Sequence, residues 1–352
     1  MISLFFYLVF ILLSIVGASL TDNLLIIWIW IELSSISVIP LLSRKGTPRS
    51  VEATSKYFVF QALGTVIFLS GSLLHYSLGN IFLVGGEYGL VDYCLILIAL
   101  LIKVGLFPFH FWFVDVMSGS GFLECFVVTT LSKVVPLYLI GVMSASEANG
   151  YFMLVGLASA FFGSVFGVRQ LQLRKLLALS SIAHLGWLLT VFPLSSGFLC
   201  VSLFMFYILM VSPIFWVGSV FSFEHLTKVK NISSNSFLVG CFLICFLSLS
   251  GLPPLLGFFY KWVIFHLLLS GGSLVTASLL IISALLSLFF YLQCCYNLYT
   301  VYWPSSRVTL FYEMATWKGY SGGWLLVFVV VACVSILFFA SGLGVLATIY
   351  NI

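Results

Sequence analysis

Four ionisable side chains stand where this sequence offers them no water. Glu32, Lys103, Lys133 and Lys261 lie well inside long apolar stretches, accompanied by His110 and His184. A charge at the centre of a membrane helix costs about 3 kcal/mol on insertion scales, so each one needs a reason. A buried lysine suits proton handling, because desolvation and a nearby carboxylate pull its proton affinity in opposite directions. Small rearrangements then release or hold the proton. Glu32 is the natural carboxylate partner of Lys103 or of Lys133, and the residues alone leave both pairings open. The plain alternative is snorkelling, in which a long stem carries its charge to the interface. That suits Lys56, which opens a span, and Glu124. It does not suit Glu32, held on a short stem ten residues into its span. His184, in Ser180-Ser181-Ile182-Ala183-His184, reads equally as a proton relay or as a hydrogen-bonded structural histidine. His75 and His225 fall near span ends and read as interfacial, and His266 lies close to a loop.

The elements that position these groups must be membrane helices. Hydrophobic residues make up 62% of the 352-residue chain and charged residues 7%, a composition no soluble core of this size could cover. The fold class expected is all-α: one polytopic membrane domain over 1–352. A spanning helix needs about 20 apolar residues, and such stretches fall at 2–20, 23–43, 55–76, 90–110, 121–143, 150–168, 173–192, 198–222, 236–266, 274–299 and 324–346. With eleven spans, eleven of the fourteen Lys and Arg collect on one side. They are Arg44, Lys45, Arg49 and Lys56, then Arg169, Arg174 and Lys175, then Lys228 and Lys230, and last Arg307 and Lys318. The opposite loops hold Asp22, Glu87, Asp92 and Glu147. This segregation obeys the positive-inside rule and puts the N-terminus on the basic side and the C-terminus on the other. The first span lacks a basic leader, so the mature chain is expected to begin at Met1.

Two spans are interrupted beside a lysine. One reads Lys103-Val104-Gly105-Leu106-Phe107-Pro108-Phe109-His110, the other Ser250-Gly251-Leu252-Pro253-Pro254-Leu255-Leu256-Gly257, with Lys261 just beyond. Proline removes a helix hydrogen bond and frees carbonyls that need other partners. The interrupted spans rank fourth in 1–143 and fourth in 150–299, so the chain reads as two inverted five-helix repeats plus the span 324–346. Broken helices at matching ranks of inverted halves point to a transport site at mid-membrane. Ordinary proline kinks are the plain alternative.

Other classes find little support. The net charge of +4 is spread thinly, with no basic run for nucleic acid. None of the eight cysteines forms a CxxC pair, and they read as small buried hydrophobes. No nucleotide, flavin, metal or iron–sulfur motif is present, so redox chemistry is expected on other chains.

Lys103-Val-Gly-Leu-Phe-Pro-Phe-His110-Phe-Trp112, Gln172-Leu-Arg-Lys-Leu-Leu-Ala-Leu-Ser-Ser-Ile-Ala-His184-Leu-Gly-Trp187 and Leu249-Ser-Gly-Leu-Pro-Pro254 with Lys261-Trp262 together resemble the chain 2 family of mitochondrial NADH–ubiquinone oxidoreductase, in its shortened animal form. The resemblance covers about Glu32 to Lys261. It implies an antiporter-like, proton-translocating subunit of the respiratory complex I membrane arm, in the mitochondrial inner membrane, with its N-terminus and basic loops on the matrix side. It also implies a hetero-oligomer whose NAD, FMN, iron–sulfur clusters and ubiquinone sit on partner subunits, with no cofactor in this chain. By motif match it pairs Glu32 with Lys103, makes Lys133 the central lysine and His184 the relay, and sets Lys261 toward the exit channel; His110 is a further candidate relay. Asp115, in a Ser/Gly-rich stretch, departs from the family pattern, and 305–323 matches no motif. The rival readings are a stand-alone sodium/proton antiporter, which the same charged row would serve, and a structural anchor, which has no use for four costly charges.

Overall fold

The structure, a computed structural model, describes residues 2–77, 88–144, 149–221, 236–253 and 255–302. The span at 324–346, the 305–323 segment, Pro254, His225, Glu87, Glu147, Lys228, Lys230, Arg307 and Lys318 lie outside the described residues. Those described are helical and contain no β-strand. In chain order the helices are α1 (Ile2–Leu20), α2 (Leu24–Ser43), α3 (Pro48–Ser77), α4 (Leu90–Val104), α5 (Phe111–Gly119), α6 (Phe122–Thr129), α7 (Val134–Ser144), α8 (Asn149–Val168), α9 (Leu173–Val191), α10 (Gly197–Phe221), α11 (Ser236–Ser250), α12 (Leu256–Ser270) and α13 (Leu274–Tyr302). Seven described helical stretches are long and apolar enough to cross a membrane, with shorter apolar helices at Phe6–Leu20 and Leu256–Ser270. This is an all-helical, multi-pass membrane fold.

Helix ends follow local chemistry. Asn23 caps α2 by accepting from Leu25 N at 2.9 Å. Pro48, at the first position of α3, gives up no hydrogen bond there, so α3 starts well before the expected 55 and takes Arg49 into the helix. At 30 residues it is about 45 Å long, more than the roughly 30 Å of hydrocarbon it crosses. Serines and threonines inside the helices turn their hydroxyls back on their own carbonyls, as Ser34 does to Ile31 O at 2.7 Å and Thr65 to Ala62 O at 2.7 Å. Polar side chains thereby satisfy themselves without water. The outer faces are apolar, with Leu12, Val16, Ile29, Phe58 and Val66 all exposed.

The chain forms two compact units, residues 1–163 with 177–200, and residues 164–176 with 201–352. In the first, α1, α2, α3 and α4 pack in succession and α5 lies against α3. The α3–α4 seam is antiparallel and close: a Cβ on Gly64 would sit 3.0 Å from Lys103 Cγ, and one on Gly71 2.8 Å from Ile96. In the second unit, α11 packs against α12 and α13, with Phe242, Phe246, Phe290 and Tyr291 in its core.

Two breaks stand where the sequence places them. Helix α4 ends at Gly105 with φ +74°, α5 resumes at Phe111, and the Phe107–Pro108 peptide between them is cis. Helix α11 ends at Ser250, Gly251 has φ +83°, and α12 begins at Leu256. A third break was not expected: the stretch 121–143, read as one helix, passes through a 3-10 turn at Leu131–Lys133. The reason is local. Thr129 and Thr130 both donate to Phe126 O, at 3.0 and 2.6 Å, and Pro136 offers no N–H to the carbonyl of Ser132.

Candidate functional site

In the first unit the α4 break presents the end of a helix inside the protein. Its last carbonyls, which have no partner within the helix, meet two side chains from neighbouring helices. Trp112 Nε1 on α5 donates to Ile102 O at 3.0 Å, and Gln61 Nε2 on α3 donates to Lys103 O at 3.3 Å. Lys103 itself is 2% exposed, and its Nζ makes no hydrogen bond among the described residues. Glu32, half-buried on α2, acts on it electrostatically without forming an ion pair.

Lys133 sits at the third break and is 0% exposed. Its ammonium lies 3.6 Å from the centroid of the Phe113 ring and has no hydrogen-bond partner among the described residues. The attraction of a cation for an aromatic face is strongest when both are out of water. Lys103 and Lys133 are thus two buried amines in one unit, each beside an interrupted helix.

His184 lies on α9 and is 4% exposed, with Ser180 and Ser181 bonded back to Leu177 O and Ala178 O at 2.9 and 2.7 Å. The helix is brought close to α8 by bare backbone: a Cβ on Gly186 would fall 2.5 Å from Ala160 N, and one on Gly163 2.8 Å from Ala183 N. Small residues at such seams let membrane helices meet backbone to backbone. His110 is buried before the first turn of α5, its ring 4.1 Å from that of Phe111.

In the second unit Lys261, on α12, donates from Nζ to Ser250 O at 2.8 Å. Its ammonium takes up a carbonyl freed at the end of α11, where the partial negative charge of a helix terminus favours a cation. The stem lies along Gly251, where a Cβ would come 3.0 Å from Lys261 Cδ.

The structure corrects three sequence readings. His75 is not interfacial and The antiparallel seam brings the last turn of α3 against the first turn of α4, so two polar ends bury each other. Lys56 does not simply snorkel. It bonds Glu52 at 2.8 Å and Asp115 at 2.9 Å, which ties α3 to α5 and gives Asp115 a partner. Cys94 is exposed, whereas Cys125, Cys200, Cys245 and Cys294 are buried as expected. The side chains of Cys241 and Cys333 lie outside those described. Sequence reasoning also passed over Gln61 and Phe113. A lone amide inside the third span was the available signal for the first; nothing local marked the second.

A chain from Patiria pectinifera named NADH-ubiquinone oxidoreductase chain 2 is 34% identical over 286 residues, 81% of this chain and 80% of that one. The chain belongs to that chain 2 family. The chain 2 relative from Mus musculus is 33% identical over 289 residues, covering 82% of this chain and 83% of its own. The wider family described as NADH:quinone oxidoreductase/Mrp antiporter, TM, matches residues 21–287, a stretch that holds Glu32, Lys103, Lys133, His184 and Lys261. Among solved structures, one of respiratory complex I from Thermus thermophilus with bound aureothin superposes on 94% of this chain and 79% of its counterpart. The TM-score is 0.79 at 24% identity, a likeness of fold. An antiporter-like helical fold is therefore what the chain 2 sequence specifies here.

Proposed function

We propose that this chain is a membrane-arm subunit of NADH:ubiquinone oxidoreductase in the mitochondrial inner membrane, and that it moves protons while partner subunits pass electrons from NADH to ubiquinone. The observation that carries this is Lys103 and Lys133 in one unit, both buried, neither hydrogen-bonded among the described residues, and both beside a broken helix. A buried amine without a fixed partner is costly, and groups of this kind in membrane helices mark ion and proton pathways. In this reading each lysine alternates between ammonium and amine. Glu32 favours the ammonium at Lys103 through its field, and Lys133, His184 and Lys261 are further members of the proton path, with His110 a candidate relay. The freed helix carbonyls, held by Trp112, Gln61 and Lys261, give the breaks a fixed form around the moving proton.

The reading also holds that the complete chain has eleven spans arranged as two inverted five-helix repeats and a last span. It places the N-terminus and basic loops on the matrix side, and NAD, FMN, iron–sulfur clusters and ubiquinone on other subunits. The basis is the charge segregation and the lack of any motif for those groups.

The test is Lys133→Met in the assembled complex. Proton movement per NADH oxidised in sealed vesicles should fall, with complex content unchanged. A wild-type proton yield would reject the carrier role. The match to the wider family that includes Mrp antiporters keeps a stand-alone antiporter as the second reading. The purified chain alone in liposomes would exchange sodium for protons under that reading, and would be inert under the first.

A further inference from the structure

The two lysine positions of the first unit are joined through one short helix. Gly105 ends α4 two residues after Lys103, and a Cβ there would come within 3.0 Å of Phe113 Cβ and 3.2 Å of the Trp112 ring. The missing side chain is the space that α5 occupies. Trp112 Nε1 holds Ile102 O at 3.0 Å, which fastens the start of α5 to the end of α4. The next residue, Phe113, then turns its ring to Lys133 at 3.6 Å from the centroid. Phe113 and Lys133 are both fully buried, and with no hydrogen bond to Lys133 Nζ among the described residues the aromatic face is the support recorded for its charge.

We propose that Phe113 is a positioning residue for proton transfer at Lys133: its ring holds the ammonium in the gap of the third break and couples that hold to the helix end carrying Lys103. The proposal rests on Lys133 being a proton carrier. A shift of the 105–110 break carries α5 with it, so a change at the end of α4 reaches Lys133 as a gain or loss of the ring contact. The ring attracts a cation without a directional bond, so the ammonium can leave it as the gap hydrates. Trp112 and Gly105 set the ring's place, and neither touches the ammonium.

Three variants of the assembled complex test this: Phe113→Met, which roughly keeps the volume and removes the aromatic face, Phe113→Tyr, which keeps the face, and Lys133→Met. Protons moved per NADH oxidised are measured in sealed vesicles and normalised to complex content. Losing the ring should lower the occupancy of the held ammonium about tenfold. Phe113→Met is therefore expected to lose roughly half or more of the proton yield that Lys133→Met loses, and Phe113→Tyr to recover it. A wild-type yield in Phe113→Met with an impaired Lys133→Met overturns the role of the ring and leaves the carrier reading standing. An unimpaired Lys133→Met overturns the carrier reading and this one with it. A tyrosine no better than methionine, or failure of Phe113→Met to assemble while Phe113→Tyr assembles, makes the ring a packing element and overturns the proposal as well.

Discussion

Lys133 and the His75–Asp92 pair are both buried charge, and they answer its cost differently. The pair meets it by mutual attraction at 2.7 Å. Lys133 has only a ring to lie on. Removing one partner of a buried pair strands the other, whereas replacing a poorly compensated charge by an apolar side chain is often neutral or stabilising. Asp92→Ala should therefore destabilise the first unit by about 2–3 kcal/mol, read as a lower midpoint of thermal inactivation of the purified complex. The double substitution His75→Leu with Asp92→Leu should recover most of that loss. Lys133→Met should leave the midpoint unchanged or raise it, even as proton movement falls. A lowered midpoint in Lys133→Met would mean that the ammonium is held by more than the Phe113 face. Stability and transport are expected to separate at Lys133 and to coincide at Asp92.

At the scale of the helices, what places His184 is the closeness of α8 and α9, set by Gly163 and Gly186. A Cβ at Gly186 meets backbone at 2.5 Å, and backbone cannot swing aside as a side-chain tip can. Gly186→Val should therefore part the two helices and cost about 3 kcal/mol or more, seen as loss of assembled complex on a native gel. Gly141, where a Cβ would meet nothing within 4 Å, should accept alanine with no change in assembly. The α4 break gives a second test. Trp112→Phe keeps the ring stack with Phe60 but leaves Ile102 O without its donor, a loss of about 1–3 kcal/mol for a buried carbonyl. Denaturant titration of the purified complex would register it. An unchanged midpoint there would show that another group takes over the carbonyl.

For the whole molecule, sidedness is the quantity that ties the helices to the direction of proton movement. The eleven loop and helix-end cations fall on one side only if the chain crosses eleven times. A cysteine at Lys45 should be labelled by a membrane-impermeant maleimide from the matrix side alone, and one at Asp22 from the opposite side alone. Labelling of both from one side would remove the span count and the orientation together. Much of this protein was legible in its sequence for a simple reason: in lipid, apolar length and the placement of Lys and Arg are each set by the bilayer, residue by residue. That determined the all-helical membrane class, the ends of most helices to within a few residues, and the two breaks that Gly and Pro announce. It also singled out Glu32, Lys103, Lys133 and Lys261, because a charge in an apolar run is conspicuous without any knowledge of its neighbours. The third break was harder to see, since it depends on Thr129 and Thr130 turning to one carbonyl rather than on a Gly-Pro cluster. Partners were decided only by the tertiary structure. That His75 meets Asp92, that Gln61 and Trp112 hold the carbonyls of α4, and that Phe113 lies over Lys133 all depend on which helix faces which. Pairing between helices is set by packing and close backbone approach, which no single stretch of apolar residues encodes.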